Sequence, residues 1–317
     1  REGVGDTQTL VAPLDSGPVR PLFAAPAGNV SAFPSPDGSK VAFILSRGGR
    51  STLWVQGTAG GPARQLTTDG LEGARIERMW SPDGRFLLFE SRRTGTQDIW
   101  VANVETGALR QLTDDVRNDW GAAWSPDGHW VVFNSDRGGQ TDLWVVAAEG
   151  GPARRVTANL ALEGNASWSP DGRRIVYSPT SPRVSIDAMP ADGGAARSLV
   201  TLDGYFAGII AVSPDGRTAL YVSNRSGDQD IWSVPIAGGE PTSFAASPVF
   251  DGDPQWSPDG SLVAFTSVRS GGTADIWVMP AGGGAARQVT DWPSNEGNPR
   301  WSPDGATIAF TSNRDAT

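Results

Sequence analysis

The residue to test first for chemistry is His129, the single histidine of the chain, because imidazole serves acid–base, nucleophilic and zinc sites alike. It stands four residues after Ser125, just past a Ser-Pro-Asp-Gly turn, and no Gly-x-Ser-x-Gly elbow exists to partner it. An exposed turn residue is expected. A Ser-His-Asp triad and imidazole-bound zinc are thereby excluded. Cysteine is absent, which removes thiol catalysis, thiolate metal sites and disulfides.

Carboxylates are the richer material. Six residues before the seven Ser-Pro-Asp-Gly copies stand Asn29, Arg75, Asp119, Glu163, Ala207, Asp251 and Glu296. Two residues further on lie Glu77, Asn165, Asp253 and Asn298. Oxygen ligands converging from several repeats suit calcium or another hard cation, so Asp119, Glu163, Asp251 and Glu296 are the candidate metal ligands. The favoured competing reading is structural. Arginine stands twelve residues after the Ser in six copies (Arg47, Arg93, Arg137, Arg225, Arg269 and Arg314), and Asp98, Asp142, Asp230 and Asp275 lie within reach. Repeated ion pairs would staple one repeat to the next. A glycosidase built on two carboxylates is also conceivable chemistry, but nothing selects a pair.

Aromatic residues stand where the repeat is broken. Trp120, Phe250 and Trp292 occupy loops, and the fifth repeat opens with Asp203-Gly204-Tyr205-Phe206. The fourth repeat has Ser181 in place of Arg, with Pro179 and Pro182 beside it and Asp187 where Trp is expected. Trp120, Tyr205, Phe206, Phe250, Trp292 and Arg75 are therefore the candidate ligand-binding residues. Local packing is the alternative for the aromatics.

The elements that position these residues follow from the repeat itself. Ser-Pro-Asp-Gly begins at Ser35, Ser81, Ser125, Ser169, Ser213, Ser257 and Ser302, spacings of 44 to 46 residues. A large apolar residue precedes most copies: Trp80, Trp124, Trp168, Trp256 and Trp301. Pro presets the turn, Asp suits its third position, and Gly tolerates the exit. An aromatic follows eight residues after each Ser, at Phe43, Phe89, Phe133, Tyr177, Tyr221, Phe265 and Phe310. A third strand such as Asp98-Ile99-Trp100, a Gly-Gly turn, and a last strand such as 286–290 complete the unit.

Four short strands per period make one twisted sheet with two apolar faces, which must pack radially against its neighbours. The seventh copy ends after its second strand, and residues 9–11 and 16–22 match the missing third and fourth strands. The expectation is an all-β, seven-bladed β-propeller of four-stranded antiparallel blades over residues 1–317. Its ring is closed by a blade shared between residues 302–317 and about 7–23.

Trp-Ser-Pro-Asp-Gly, then Val-Ala-Phe-Thr-Ser, Asp-Ile-Trp-Val and Gly-Gly-x-x-Arg-x-Val-Thr resemble the WD40-like PD40 repeat of TolB-type propellers. TolB has six such blades where this chain counts seven, and a counterpart of its separate N-terminal domain is not expected, so TolB's partners are not carried over. The resemblance implies the fold and a bacterial extracytoplasmic or periplasmic setting. Related propellers serve as sensor domains of membrane kinases, as lids on serine peptidases and as stand-alone proteins. The resemblance does not choose among them, although the histidine-dependent pectate-degrading propellers are excluded by composition.

The remaining composition narrows the partners. A net charge of −9 disfavours nucleic acid, and no apolar run approaches the length of a membrane span. The expectation is a monomeric, non-enzymatic propeller that recognises a protein, peptide or small ligand at the channel-mouth face. The alternative is a sensor or gating module of a larger protein.

Overall fold

The computed structural model describes residues 8–14, 17–22, 29–48, 50–68, 71, 79–157, 163–179, 184–202, 206–245 and 247–313. These residues form strands and turns and no helix. They assemble into seven antiparallel sheets, the blades of a β-propeller, numbered here by their Ser-Pro-Asp-Gly copies. Six sheets have four strands. Blade 2 has three, and Trp80 adds an isolated bridge to Leu87 where the inner strand of the other blades runs.

The shared blade is present. Strand Gln8–Pro13 pairs antiparallel with Thr307–Ser312 through six residue pairs, from Gln8 opposite Ser312 to Pro13 opposite Thr307. Arg20–Pro21 forms its outer edge and Glu296–Trp301 its inner one. The N-terminal segment thus supplies the third and fourth strands of blade 7.

Each repeat residue has a physical task. The aromatic eight residues after the Ser is fully buried in most blades, as at Phe43, Phe133, Tyr177, Tyr221 and Phe265. In the Ser-Pro-Asp-Gly turn, Ser125 Oγ donates to Asp127 Oδ1 (2.5 Å) and accepts from the Trp130 N–H (2.9 Å). Asp127 also accepts the His129 N–H at 3.0 Å, and hydrogen bonds from Ser125 and His129 hold its pKa below the ordinary carboxylate value. His129 itself is exposed. The turn is therefore a closed hydrogen-bond loop, which goes beyond the backbone preferences of its residues.

Two compact units are distinguished, one of residues 1–68, 226–231 and 243–317, the other of residues 69–225 and 232–242. In the first, Leu10, Ala264, Ile276, Ile308 and Phe310 of blades 6 and 7 make one cluster. In the second, Leu88, Ile99, Val131 and Phe133 join blades 2 and 3, and Val176, Ile186, Ile210 and Tyr221 join blades 4 and 5. Each cluster draws on two successive sheets, as a two-faced blade requires.

Polar staples reinforce this packing. Trp124 Nε1 donates to the Met79 carbonyl (3.0 Å), Trp168 to Ala123 (3.2 Å), and Trp301 to Gln255 (3.0 Å). At the outer strands, Arg110 reaches the Ala148 carbonyl, Arg154 those of Ala191 and Asp192, and Arg197 that of Ala237, each in the following blade. The turn glycines meet the preceding blade too: a Cβ on Gly128, at φ +73°, would stand 3.6 Å from Pro82. Gly128→Ala should cost about 1–2 kcal/mol, because left-handed backbone penalises any side chain. Chemical denaturation would measure it, and an unchanged midpoint would contradict the turn geometry.

Candidate functional site

The expected site lies at the blade end opposite the Ser-Pro-Asp-Gly turns, where the chain passes from one blade's outer strand to the next blade's inner strand. The junctions there share one construction. The Asp119 N–H donates to the Gln97 carbonyl (2.7 Å), that of Asp251 to Gln229 (2.8 Å), and that of Glu296 to Ala274 (2.7 Å). Each of these acids is thereby brought beside the acid that opens the preceding blade's third strand.

Within the unit of residues 69–225 and 232–242, Asp119 is fully buried and its Oδ2 lies 2.7 Å from Arg137 Nη2. Arg137 Nε donates to Ser135 Oγ (3.0 Å), and its guanidinium lies over the rings of Phe133 and Trp144. Burial raises the pKa of Asp119, with hydrogen bonds from Ser135 and Thr113 and the Arg137 charge opposing the rise. Asp98 is also buried and raised, against hydrogen bonds from Thr94, Thr96 and Gln111. Asp142 pairs with Arg155. Just before Asp119, Val116 is 85% exposed, whereas Trp120 is half-buried.

Within the other unit, Asp251 repeats the arrangement, with Oδ2 2.6 Å from Arg269 Nη2 and Arg269 over Phe265 and Trp277. Ser247 bridges two acids, its N–H donating to Asp230 and its Oγ to Asp251 (3.1 Å). Glu296 accepts from Ser294 (2.6 Å) and Ser312 (2.7 Å). Phe250 is 37% exposed and its ring covers Gly252, where a Cβ would fall 2.4 Å from it.

The ion pairs expected between blades are found within them: Arg137 and Asp119 belong to blade 3, Arg269 and Asp251 to blade 6. The between-blade contacts fall instead to tryptophan and outer-strand arginine. The second set of polar residues also has a local reason. Asp253 (φ 52°) and Asn298 (φ 53°) hold the left-handed bulge position that Gly121 holds in blade 3. Asn and Asp tolerate that conformation. Their side chains meet Thr266 and Thr311 of their own blades.

Register corrects the six-residue count in two blades. Asp119 faces Ser135, and Asp251 faces Ser267. In blade 5 the residue facing the equivalent Ser223 is Phe206, not Ala207, because that blade's bulge carries one more residue. Blade 1 has no bulge, so Val30 rather than Asn29 faces the equivalent Leu45.

Trp292 turns inward, stacking on Phe310 with ring centroids 6.1 Å apart. In blades 1, 2, 3 and 6 the third strand places a Trp opposite that aromatic, whereas blade 7 has Leu10 there. Trp292 supplies the missing ring. Trp292→Ala should lower stability by about 2 kcal/mol, and thermal melts that leave the transition unmoved would return it to the ligand candidates. Arg75 and Tyr205 lie outside the described residues, as do the side chains of Glu163 and Phe206, whose backbones lie in strands 163–168 and 206–212. Among the described residues, no three acidic or histidine side chains form a group able to hold a metal ion.

Residues 70–239 and 209–317 match the model of the TolB beta propeller domain, PD40. The chain belongs to that family. A putative TolB from Agrobacterium tumefaciens is similar at 20% identity and TM-score 0.62, over 98% of this chain and 99% of that one. An oligogalacturonate lyase from Vibrio parahaemolyticus matches at 15% identity and TM-score 0.68, over 97% and 98%. A puromycin-hydrolyzing peptidase of Mycobacterium tuberculosis matches at 17% identity and TM-score 0.62, over 89% of this chain but 49% of its own length. At these identities the likeness is one of fold. No curated protein matches the sequence.

Proposed function

We propose that this TolB-type propeller is a non-enzymatic binding module that recognises a polypeptide at the loop end of its blades. The carrying observation is apolar exposure in the loop that leads into the inner strand of blade 3, where Val116 is 85% exposed and Trp120 follows half-buried. Exposed apolar groups beside fixed polar ones are what a recognition surface offers. Asp119 between them gives one carboxylate oxygen to Arg137. A screen of immobilised peptides should yield binders that Val116→Asp and Trp120→Ala each weaken by about tenfold or more. Undiminished binding by both variants would overturn the assignment.

The half-length match to the Mycobacterium tuberculosis peptidase supports a second reading, in which the propeller gates or senses for a catalytic domain in the same polypeptide. The reading frame beyond Thr317 tests it, and a stop codon there with none but propeller sequence upstream would set it aside.

A further inference from the structure

In blades 3 and 6 one cradle holds a guanidinium against a carboxylate. Serine Oγ accepts from arginine Nε, the third-strand Trp lies under the guanidinium, and an inner-strand Asp takes Nη2. These arginines are closed in, with side chains 15% and 21% exposed. Blade 5 keeps the backbone anchor and the Trp of this cradle but, among the described residues, neither the Nε–Ser bond nor the inner-strand Asp. The Arg225 N–H donates to Ser223 Oγ (3.3 Å), as that of Arg137 does to Ser135, and the Arg225 guanidinium lies 4.7 Å from the Trp232 ring centre.

Two things differ. The inner-strand position facing Ser223 is Phe206 rather than Asp, and Arg225 makes no ion pair among the described residues and is exposed. The buried aromatic beneath is Tyr221, where blades 3 and 6 have Phe133 and Phe265. Burial raises the Tyr221 pKa and Arg225 opposes the rise, yet no hydrogen bond of normal geometry engages that hydroxyl among the described residues. A guanidinium 4.7 Å from an indole centre, beside a buried hydroxyl with no hydrogen bond of normal geometry, can receive a carboxylate where the inner strand places Phe206 in the position of Asp.

We infer that Arg225, set on Trp232 and backed by Tyr221, binds a carboxylate supplied by a ligand, either an acidic side chain or a chain terminus. The net charge of −9 rules out long-range attraction as the driving force, so recognition rests on contact geometry. The inference deepens the polypeptide-binding reading by naming the chemistry that anchors one end of the ligand.

The arginine Nε–H resonances of the labelled protein provide the test, with the Arg225 signal assigned by its loss in Arg225→Gln. N-acetylglycine presents a terminal carboxylate, N-acetylaspartate amide a side-chain one, and N-acetylglycinamide neither. At least one of the two acids should shift the Arg225 signal saturably, and the neutral amide should not. The signals of Arg137 and Arg269 should stay still. Phe206→Asp, which restores the internal partner, should weaken the titration by about tenfold or more. Because that variant alters a strand, Arg225→Lys is the second probe: it retains charge but loses the planar fork, and should weaken binding of the acid by a comparable factor. An Arg225 signal that ignores both acids overturns the inference, as does equal movement of all three arginines. Peptide binding that depends on Val116 and Trp120 would survive that result, so the two readings fail separately.

Discussion

Deleting residues 8–22 should abolish the cooperative unfolding transition of the whole chain, not merely lower its midpoint. The segment contributes two strands to blade 7, and six of its residues pair with Thr307–Ser312. Leu10 and Ala12 are almost fully buried, and they pack with Ile308 and Phe310 in one cluster that Trp292 also joins. Each large apolar side chain withdrawn from that cluster forfeits about 1.5–3 kcal/mol. Removing one sheet face exposes several at once, a total of about 5–10 kcal/mol, comparable to the entire stability of a domain. Circular dichroism through a thermal scan would show a broad, non-cooperative loss of strand signal. Adding residues 8–22 as a separate peptide should restore a sharp transition. A truncated chain that melts as sharply and as high as the intact one would refute the role assigned to the shared blade.

Arg137→Ala should be the costliest single change at the loop end, about 3–5 kcal/mol at neutral pH, because it leaves the buried Asp119 charge unpaired. The cost should shrink in acid. Asp119 and Asp98 both have pKa values raised by burial above the ordinary 3.8, so the folded state holds their protons more tightly than the unfolded chain does. Stability from such groups is full below that ordinary value and declines as pH rises through the raised one. Without Arg137, Asp119 would rise further and regain stability by protonation. The turn aspartates oppose this: Asp37 is held at about 2, chiefly by its hydrogen bonds from Ser35 and Ser39. Its contribution is present above 3.8 and fades as pH falls toward 2. The cost of Arg137→Ala should therefore stay reduced throughout acid, while strong acid lowers the stability of parent and variant alike as the turn aspartates protonate. Asp119→Asn, which removes the charge instead of stranding it, should cost less than Arg137→Ala at neutral pH. Denaturant titrations across pH would check both orders, and a pH-independent cost for Arg137→Ala would contradict the buried charge.

The fold was legible because its repeat is carried by residues with separate physical duties: a turn that closes on itself, an aromatic at the sheet centre, a Trp at the blade boundary. The loop end was legible only in part. Counting six residues back from Ser213 reaches Ala207, yet the residue facing Ser223 is Phe206, because bulge length leaves no trace in the spacing of the turns. Asp253 and Asn298 carry positive φ angles, a local reason for their residue types that the spacing of the turns does not reveal. Trp292 could have been placed from the chain alone. Blade 7 lacks the Trp that blades 1, 2, 3 and 6 carry opposite the buried aromatic, and Leu10 is too small to cover Phe310. The pairing of arginine within its own blade follows from hairpin geometry, since the loop between strands two and three returns over the entrance of strand one.

The pairing of Gln8–Pro13 with Thr307–Ser312 also sets an order of events. As the polypeptide leaves the ribosome, this strand emerges well before its partner, with blades 1 to 6 synthesised in between. Throughout that interval an apolar segment containing Leu10, Val11 and Ala12 carries unpaired backbone groups, the template on which intermolecular strand addition begins. Ring completion is accordingly a late, long-range step whose rate is governed by loop closure rather than by local strand propensity.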